Sequence, residues 1–272
     1  MKVYEAHNIL SAMLGDKVNA TTTSIPHGRR FVRELRDGYL YRAMTAIYRE
    51  GTEQAKQLPD QQAALFLRKQ FPLSIVGLNI SFQDGIDDTV DGRGTILPPT
   101  TETISMATTA QSLTKYFFSF TQENTSGDNT FEYIPMFILH ANVRDQRQIY
   151  NVVMRSNAFD YGNSNINRRP DLFAEYTYAY TDNSNKPIVT GILDLYDAKN
   201  LITPTDAQLF IRFLRMPKNP ADQDPDEELY IDMTHIDQMF KLAMFYGMVD
   251  SQEVEDWSLI MPTILGLQNA NH

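Results

Sequence analysis

The sequence has no cysteine at all, so disulfides, thiolate metal sites and thiol nucleophiles are excluded. It has no apolar run near the roughly 20 residues that a membrane-spanning helix needs. The opening stretch "MKVYEAHNILSAMLGD" lacks the uninterrupted apolar core of a secretory signal. Together these predict a chain with no membrane partner, made in a reducing cytoplasm or in an assembly built there. Catalytic signatures are missing too. There is no G-x-x-x-x-G-K phosphate loop, no G-x-G-x-x-G after a strand, no H-E-x-x-H and no G-x-S-x-G elbow. The five histidines, His7, His27, His140, His235 and His272, show no ligand spacing. No repeat of 20–50 residues recurs. The expectation is a protein without catalytic residues, cofactor or resident metal.

What is present is apolar bulk and polarised charge. The 272 residues are 42% hydrophobic and include 15 Phe and 14 Tyr, enough for one large domain or two small ones. The formal net charge is −10, yet residues 1–50 hold eight Lys/Arg against five Asp/Glu. Residues 221–256 hold eleven acids and one base, Lys241. Such polarity orients a chain against copies of itself or a charged partner, or reflects solvated helix faces.

The local patterns predict helices at the two ends and once in the middle. Residues 3–14 form a short helix ending at Gly15. In "SIPHGRRFVRELRDGYLYRAMTAIYREG" (24–51), Phe31, Leu35, Tyr39, Ala43 and Ile47 recur every four residues as an apolar stripe, with Gly28 at the entry and Gly51 at the exit. A helix after Leu58–Pro59–Asp60 stops at Pro72. Residues 142–155, "NVRDQRQIYNVVMR", read as a central helix. Thr234 caps a late helix with Asp237 in its first turn, and a last helix carries Trp257. Strands are expected in "LSIVGLNISF", "LTKYFFSFTQ", "TFEYIPMFILHA", "LFAEYTYAYT", "PIVTGILDLYD", "AQLFIRFLRM" and, briefly, "LYID". Pro135 lacks an amide hydrogen, which places its strand at an edge or a bend.

The expected fold is therefore α+β: a helical bundle from residues 1–72, 142–157 and 232–272, a strand-rich insertion at 73–141, and an antiparallel sheet at 158–231 with an exposed acidic loop.

Two acidic stretches invite comparison with calcium loops. "DDTVDG" (87–92) spaces Asp87, Thr89 and Asp91 alternately, but Pro98 stands where the bidentate Glu belongs. "DQDPDE" (222–227) lacks the turn glycine; both read as solvated tips. Tyr176, Tyr178 and Tyr180 share one strand face, which suits stacking on sugars or packing within the fold. Arg29, Arg33 and Arg36, with Arg30 beside them, lie on a polar face opposite Phe31, Leu35 and Tyr39. They suit phosphate, an acidic protein surface such as residues 221–256 of another copy, or local pairing with Glu34 and Asp37.

In order along the chain, "SIPHGRRFVRELRDGYLYRAMTAIYREG", then "PIVTGILDLYDAKNLITPTDAQLFIRFLRMPKNP" and "EELYIDMTHIDQMFKLAMFYGMVD" resemble the head-to-tail adaptor, or neck ring, proteins of tailed bacteriophages. The resemblance covers about a third of the chain and is one of element pattern. Residues 73–140 lie outside it. It implies a virion structural subunit without catalysis, assembled in the host cytoplasm as a homo-oligomeric ring. A portal protein would lie on one side and tail or other neck proteins on the other. DNA would pass through the centre without sequence-specific contact. On this reading Arg29, Arg30, Arg33 and Arg36 bind portal or neighbour, and Asp222, Asp224, Asp226, Glu227 and Glu228 form an exposed contact loop.

Overall fold

A computed structural model describes residues 1–83, 86–87, 95–96, 100–105, 112–121, 134–145, 148–155, 171–183, 186–197, 199–229 and 231–251. Two compact units emerge. The first gathers Met1–Gln54, Lys69–Ser74 and the described residues from Pro217 onward; the second gathers Ala55–Arg68 and Ile75–Met216.

The first unit is mainly helical. Helix α1 spans Val3–Met13 and buries Val3, Ala6, His7, Leu10 and Ser11, the spacing of one helical face. It ends at Gly15, whose φ of +68° is the left-handed conformation that favours glycine. Helix α2 spans Arg33–Lys56. Its buried residues include Arg36, Tyr39, Leu40, Ala43, Met44, Ile47, Tyr48 and Gly51. Of the expected every-four stripe, Phe31 just before the helix and Tyr39, Ala43 and Ile47 within it are buried; Leu35 is the exception, 44% exposed. Gly51 does not end the helix. A Cβ there would stand 2.4 Å from the Phe71 ring, so this glycine lets an aromatic side chain approach the helix backbone.

Helix α3 covers Asp60–Gln70 and stops before Pro72, as the proline requires. The late helix α4 covers Ile236–Asp250. A single 3₁₀ turn, Met233–His235, precedes it and no side chain caps it, so Thr234 is not its cap. Of the expected short strand, the described residues Leu229, Ile231 and Asp232 lie in no strand, and one isolated bridge, Lys2 to Glu228, precedes them.

The second unit corrects the expected architecture. The strands are β1 (Ile75–Ser81), β2 (Ile86–Asp87), β3 (Thr95–Ile96), β4 (Thr100–Ser105), β5 (Ser112–Thr121), β6 (Pro135–Asp145), β7 (Gln148–Arg155), β8 (Leu172–Asn183), β9 (Lys186–Asp197) and β10 (Ala207–Arg215). Eight of them form one sheet in the order β1-β10-β6-β7-β8-β9-β5-β4, while β2 and β3 pair separately. The fold is a mixed α and β structure dominated by this sheet, not a helical bundle carrying strand insertions.

The described residues of the predicted central helix, 142–145 and 148–155, are the end of β6 and the whole of β7, paired from Ala141↔Val152 to Asp145↔Gln148. Its polar residues resemble a helix's wet face but serve the sheet. Asp145 is buried and accepts the Thr203 N–H at 2.7 Å. Pro135 is the first residue of a strand that lies between β10 and β7, where its missing N–H is tolerated. The β6–β10 register is irregular beside it.

Alternation puts Tyr116, Phe118, Phe120, Leu193, Leu195, Leu209, Ile211 and Phe213 on one buried face. Fully burying each such side chain contributes about 1.5–3 kcal/mol. Phe82 closes on it with its ring edge-on to Tyr116 and Phe118, at 5.1 and 5.4 Å.

Candidate interaction surface

The basic segment is built from Asp16 outward. Just after the left-handed turn at Gly15, the buried Asp16 carboxylate accepts backbone N–H groups from Arg29 at 2.8 Å, Arg30 at 3.2 Å and Phe31 at 2.9 Å. A Cβ on Gly28 would stand 1.8 Å from an Asp16 oxygen, so glycine is required for this approach. Burial pushes the Asp16 carboxyl up, but the three N–H bonds and the Arg36 charge outweigh it and hold the group below the usual aspartate value.

Arg36 is wholly buried. It donates through Nη1 to Ser11 Oγ at 2.5 Å and through Nη2 to the Pro26 carbonyl. Burial lowers its pKa from the ordinary arginine value, while Asp16 and Asp37 oppose that shift. Asp37 is buried as well. It meets His7 Nε2 at 2.7 Å and Arg33 Nε at 3.3 Å, linking α1 to the first turn of α2. The four predicted arginines therefore divide. Arg36 holds the interior together, Arg33 is partly engaged by Asp37, and the side chains of Arg29 and Arg30 are exposed. Arg30 also lies over the Phe31 ring, 5.4 Å from its centroid.

The acidic loop belongs to the same unit and grips the start of its own chain. The Glu227 and Pro225 carbonyls accept the Val3 and Tyr4 N–H groups, each at 3.0 Å, satisfying free donors at the α1 N-terminus. Lys2 Nζ donates to the Asp226 carbonyl at 2.7 Å and lies 3.7 Å from its carboxylate. Glu227 also pairs with Lys218 at 2.8 Å. Asp222 sits in the short 3₁₀ turn Pro220–Asp222, half-exposed. Asp224, Asp226 and Glu228 are exposed.

The other candidates resolve differently. Tyr176 donates its hydroxyl to the Pro135 carbonyl at 2.6 Å, packs edge-on to Phe120 and crowds Gly191. Burial raises its pKa. This tyrosine is a packing residue; Tyr178 is half-buried, and the Tyr180 side chain lies outside the described residues. Of "DDTVDG", Asp87 lies in β2 and residues 88–92 fall outside the described residues, as does the helix expected around Trp257. Among the described residues no three His, Asp or Glu side chains converge as metal ligands. No helix among them is long and apolar enough to cross a membrane.

Two polar groupings have no signature in the sequence. The buried Asp232 carboxylate accepts the Leu73 N–H at 2.9 Å and the Ser74 hydroxyl at 3.2 Å, and Ser74 meets the Tyr48 hydroxyl at 2.5 Å. His235 instead stacks on Phe71 and bonds the Gln70 carbonyl, so the serine here is tied to a carboxylate rather than activated by an imidazole. In the second unit, Lys115 Nζ lies 3.0 Å from Asp194 and 3.8 Å from the Phe117 ring centroid. In the first grouping Asp232 lies 158 or more residues from its partners Leu73 and Ser74, and Tyr48 lies 26 from Ser74, all beyond any local spacing rule. In the second, Lys115 and Asp194 are brought together only by the pairing of β5 with β9.

No protein-family model matches this chain, and no curated protein matches it.

Proposed function

We propose that this protein is a structural subunit of a tailed-phage virion, a head-to-tail adaptor. It assembles as a homo-oligomeric ring between portal and tail proteins, and DNA passes through without being read. The resemblance of the basic helix entry and of residues 187–220 and 227–250 to neck ring proteins supports this reading. The observation that carries it is the fixed display of Arg29 and Arg30. Asp16 holds their backbone from inside, and Gly28 leaves room for it. Two exposed guanidiniums on a pre-ordered backbone lose less freedom on docking than two on a mobile loop. Their counterpart is the outward acidic set Asp224, Asp226 and Glu228, on a loop already braced by backbone bonds to α1. The two patches differ, so copies meet head to tail, the contact type that closes into rings. A formal charge of −10 suits a channel that DNA crosses without adhering.

The test is negative-stain microscopy with sedimentation analysis of the full chain, alone and co-expressed with a portal. Wild type is expected to form closed rings that weaken with salt. The double variant Arg29→Glu/Arg30→Glu is expected to keep its circular dichroism and lose the rings. Rings that persist unchanged in that variant would overturn the docking role. A wild-type chain that stays single under every condition would overturn the adaptor reading.

A further inference from the structure

We infer that adjacent copies join by strand addition: the outer edge of β1 in one copy pairs with the outer edge of β4 in the next, continuing one sheet from subunit to subunit. The inference rests on the ring reading and supplies its joint. The eight-stranded sheet ends in β1 on one side and β4 on the other, and among the described residues neither has a strand beyond it. The two edges match in length, seven residues against six.

Edge strands are normally protected by charge, proline or a bulge, because their unpaired N–H and C=O groups template further pairing. β1, "IVGLNIS", has no charged residue and no proline. It pairs with β10 through seven successive positions without a register shift. The bond from the Phe82 N–H to the Ala207 carbonyl, 3.1 Å, fixes which residues of this antiparallel ladder bond inward. Counting back by twos, Ile80, Leu78 and Val76 turn their N–H and C=O toward β10. Gly77 and Asn79 turn theirs away from it. Both are exposed.

Backbone pairing of this kind gives affinity without side-chain signatures. Pairing β1 with a second β1 would close a two-fold dimer and leave both β4 edges open. Pairing β1 with β4 uses both edges of every copy and generates the head-to-tail repeat a ring requires.

Asn79→Pro removes one outward N–H and none of the β1–β10 bonds; Asn79→Lys adds an edge charge. Both are expected to match wild type in circular dichroism and melting temperature. Asn79→Pro should raise the concentration needed for ring assembly by up to about ten-fold, as loss of one intermolecular hydrogen bond implies, and Asn79→Lys should raise it through the charge it places on the edge. The natural absence of cysteine permits a direct check. Asn79→Cys combined in turn with Thr100→Cys, Glu102→Cys or Ile104→Cys should yield an oxidised ladder of multimers at one pairing. Rings assembling normally in both Asn79→Pro and Asn79→Lys would overturn the inference and leave the ring reading standing. Asn79→Cys alone giving only oxidised dimers, with no ladder from any pair, would also overturn it in favour of β1–β1 pairing. A wild type that forms no multimer at all would overturn both.

Discussion

Asp16 accepts the backbone N–H of Phe31 at 2.9 Å across fifteen residues of chain, closing the segment between α1 and α2 around one carboxylate. Asp16→Asn keeps the size but gives up the charge that three donors share. The expected loss is about 3 kcal/mol, in the range of one to two charge-assisted hydrogen bonds, read by urea unfolding. The pH dependence has a definite sign. The folded carboxyl titrates below its unfolded value, so its contribution is complete above about pH 4 and is lost as pH falls through the lower folded value. Wild type should lose its advantage over Asp16→Asn in acid; a gap that is constant from pH 7 to pH 2 would contradict this.

Arg36 and its neighbours Arg29 and Arg30 should separate cleanly. Arg36→Ala leaves Asp16 and Asp37 buried with less compensation, and about 3–5 kcal/mol of stability should go. Arg29→Ala, at an exposed side chain, should change stability by no more than about 0.5 kcal/mol. Equal effects in thermal melts would mean that the burial of Arg36 does not govern its role.

Gly51→Ala inverts the usual rule. Alanine is normally better than glycine inside a helix by about 1 kcal/mol. Here the new methyl would stand 2.4 Å from the Phe71 ring, which is itself packed on Tyr48 and His235. Overpacking of this kind costs about 1–3 kcal/mol, so the variant should melt lower. A higher melting temperature would show that Phe71 has room to move.

Buried phenols should resist base. Desolvation by burial, with Asp250 adding to it, pushes the Tyr39 pKa up to about 12, and burial raises that of Tyr176 too. A raised folded value means that these groups favour the fold below about pH 10 and lose that contribution as pH climbs through the folded value. Ultraviolet titration should show the exposed tyrosines ionising first and these two only with alkaline unfolding. Tyr176→Phe, which loses the bond to Pro135, should cost about 1 kcal/mol.

The sequence was most legible where period and punctuation agreed. α1 could be read from its apolar spacing and Gly15, α3 from Pro59 and Pro72, and β8 to β10 from alternation between turn residues. The region 142–155 misled because Asn142, Arg144, Asp145 and Gln148 look like a helix surface. In fact Asn142 and Asp145 are buried polar residues of a sheet, and Arg144 and Gln148 are ladder residues opposite Ile149 and Asp145. Alternation of Ala141 and Val143 was the better guide. Arg36 misled in the opposite way. Its charge suggested solvent, yet partners far back in the sequence, Ser11 and Asp16, make an interior site for it. Long-range compensation of that sort has no local spacing to reveal it.

The helical unit takes its residues from both sides of the sheet unit along the chain. Met1 accepts the Leu229 N–H at 2.8 Å, so the first residues find their partners only after more than two hundred others have been synthesised. During translation α1 meets its α2 partners Arg36 and Asp37 early, whereas the Pro225 and Glu227 carbonyls that accept its first N–H groups are made late. A chain still on the ribosome would therefore carry an α1 already packed on α2 but with the N–H groups of its first turn unanswered until the acidic loop emerges.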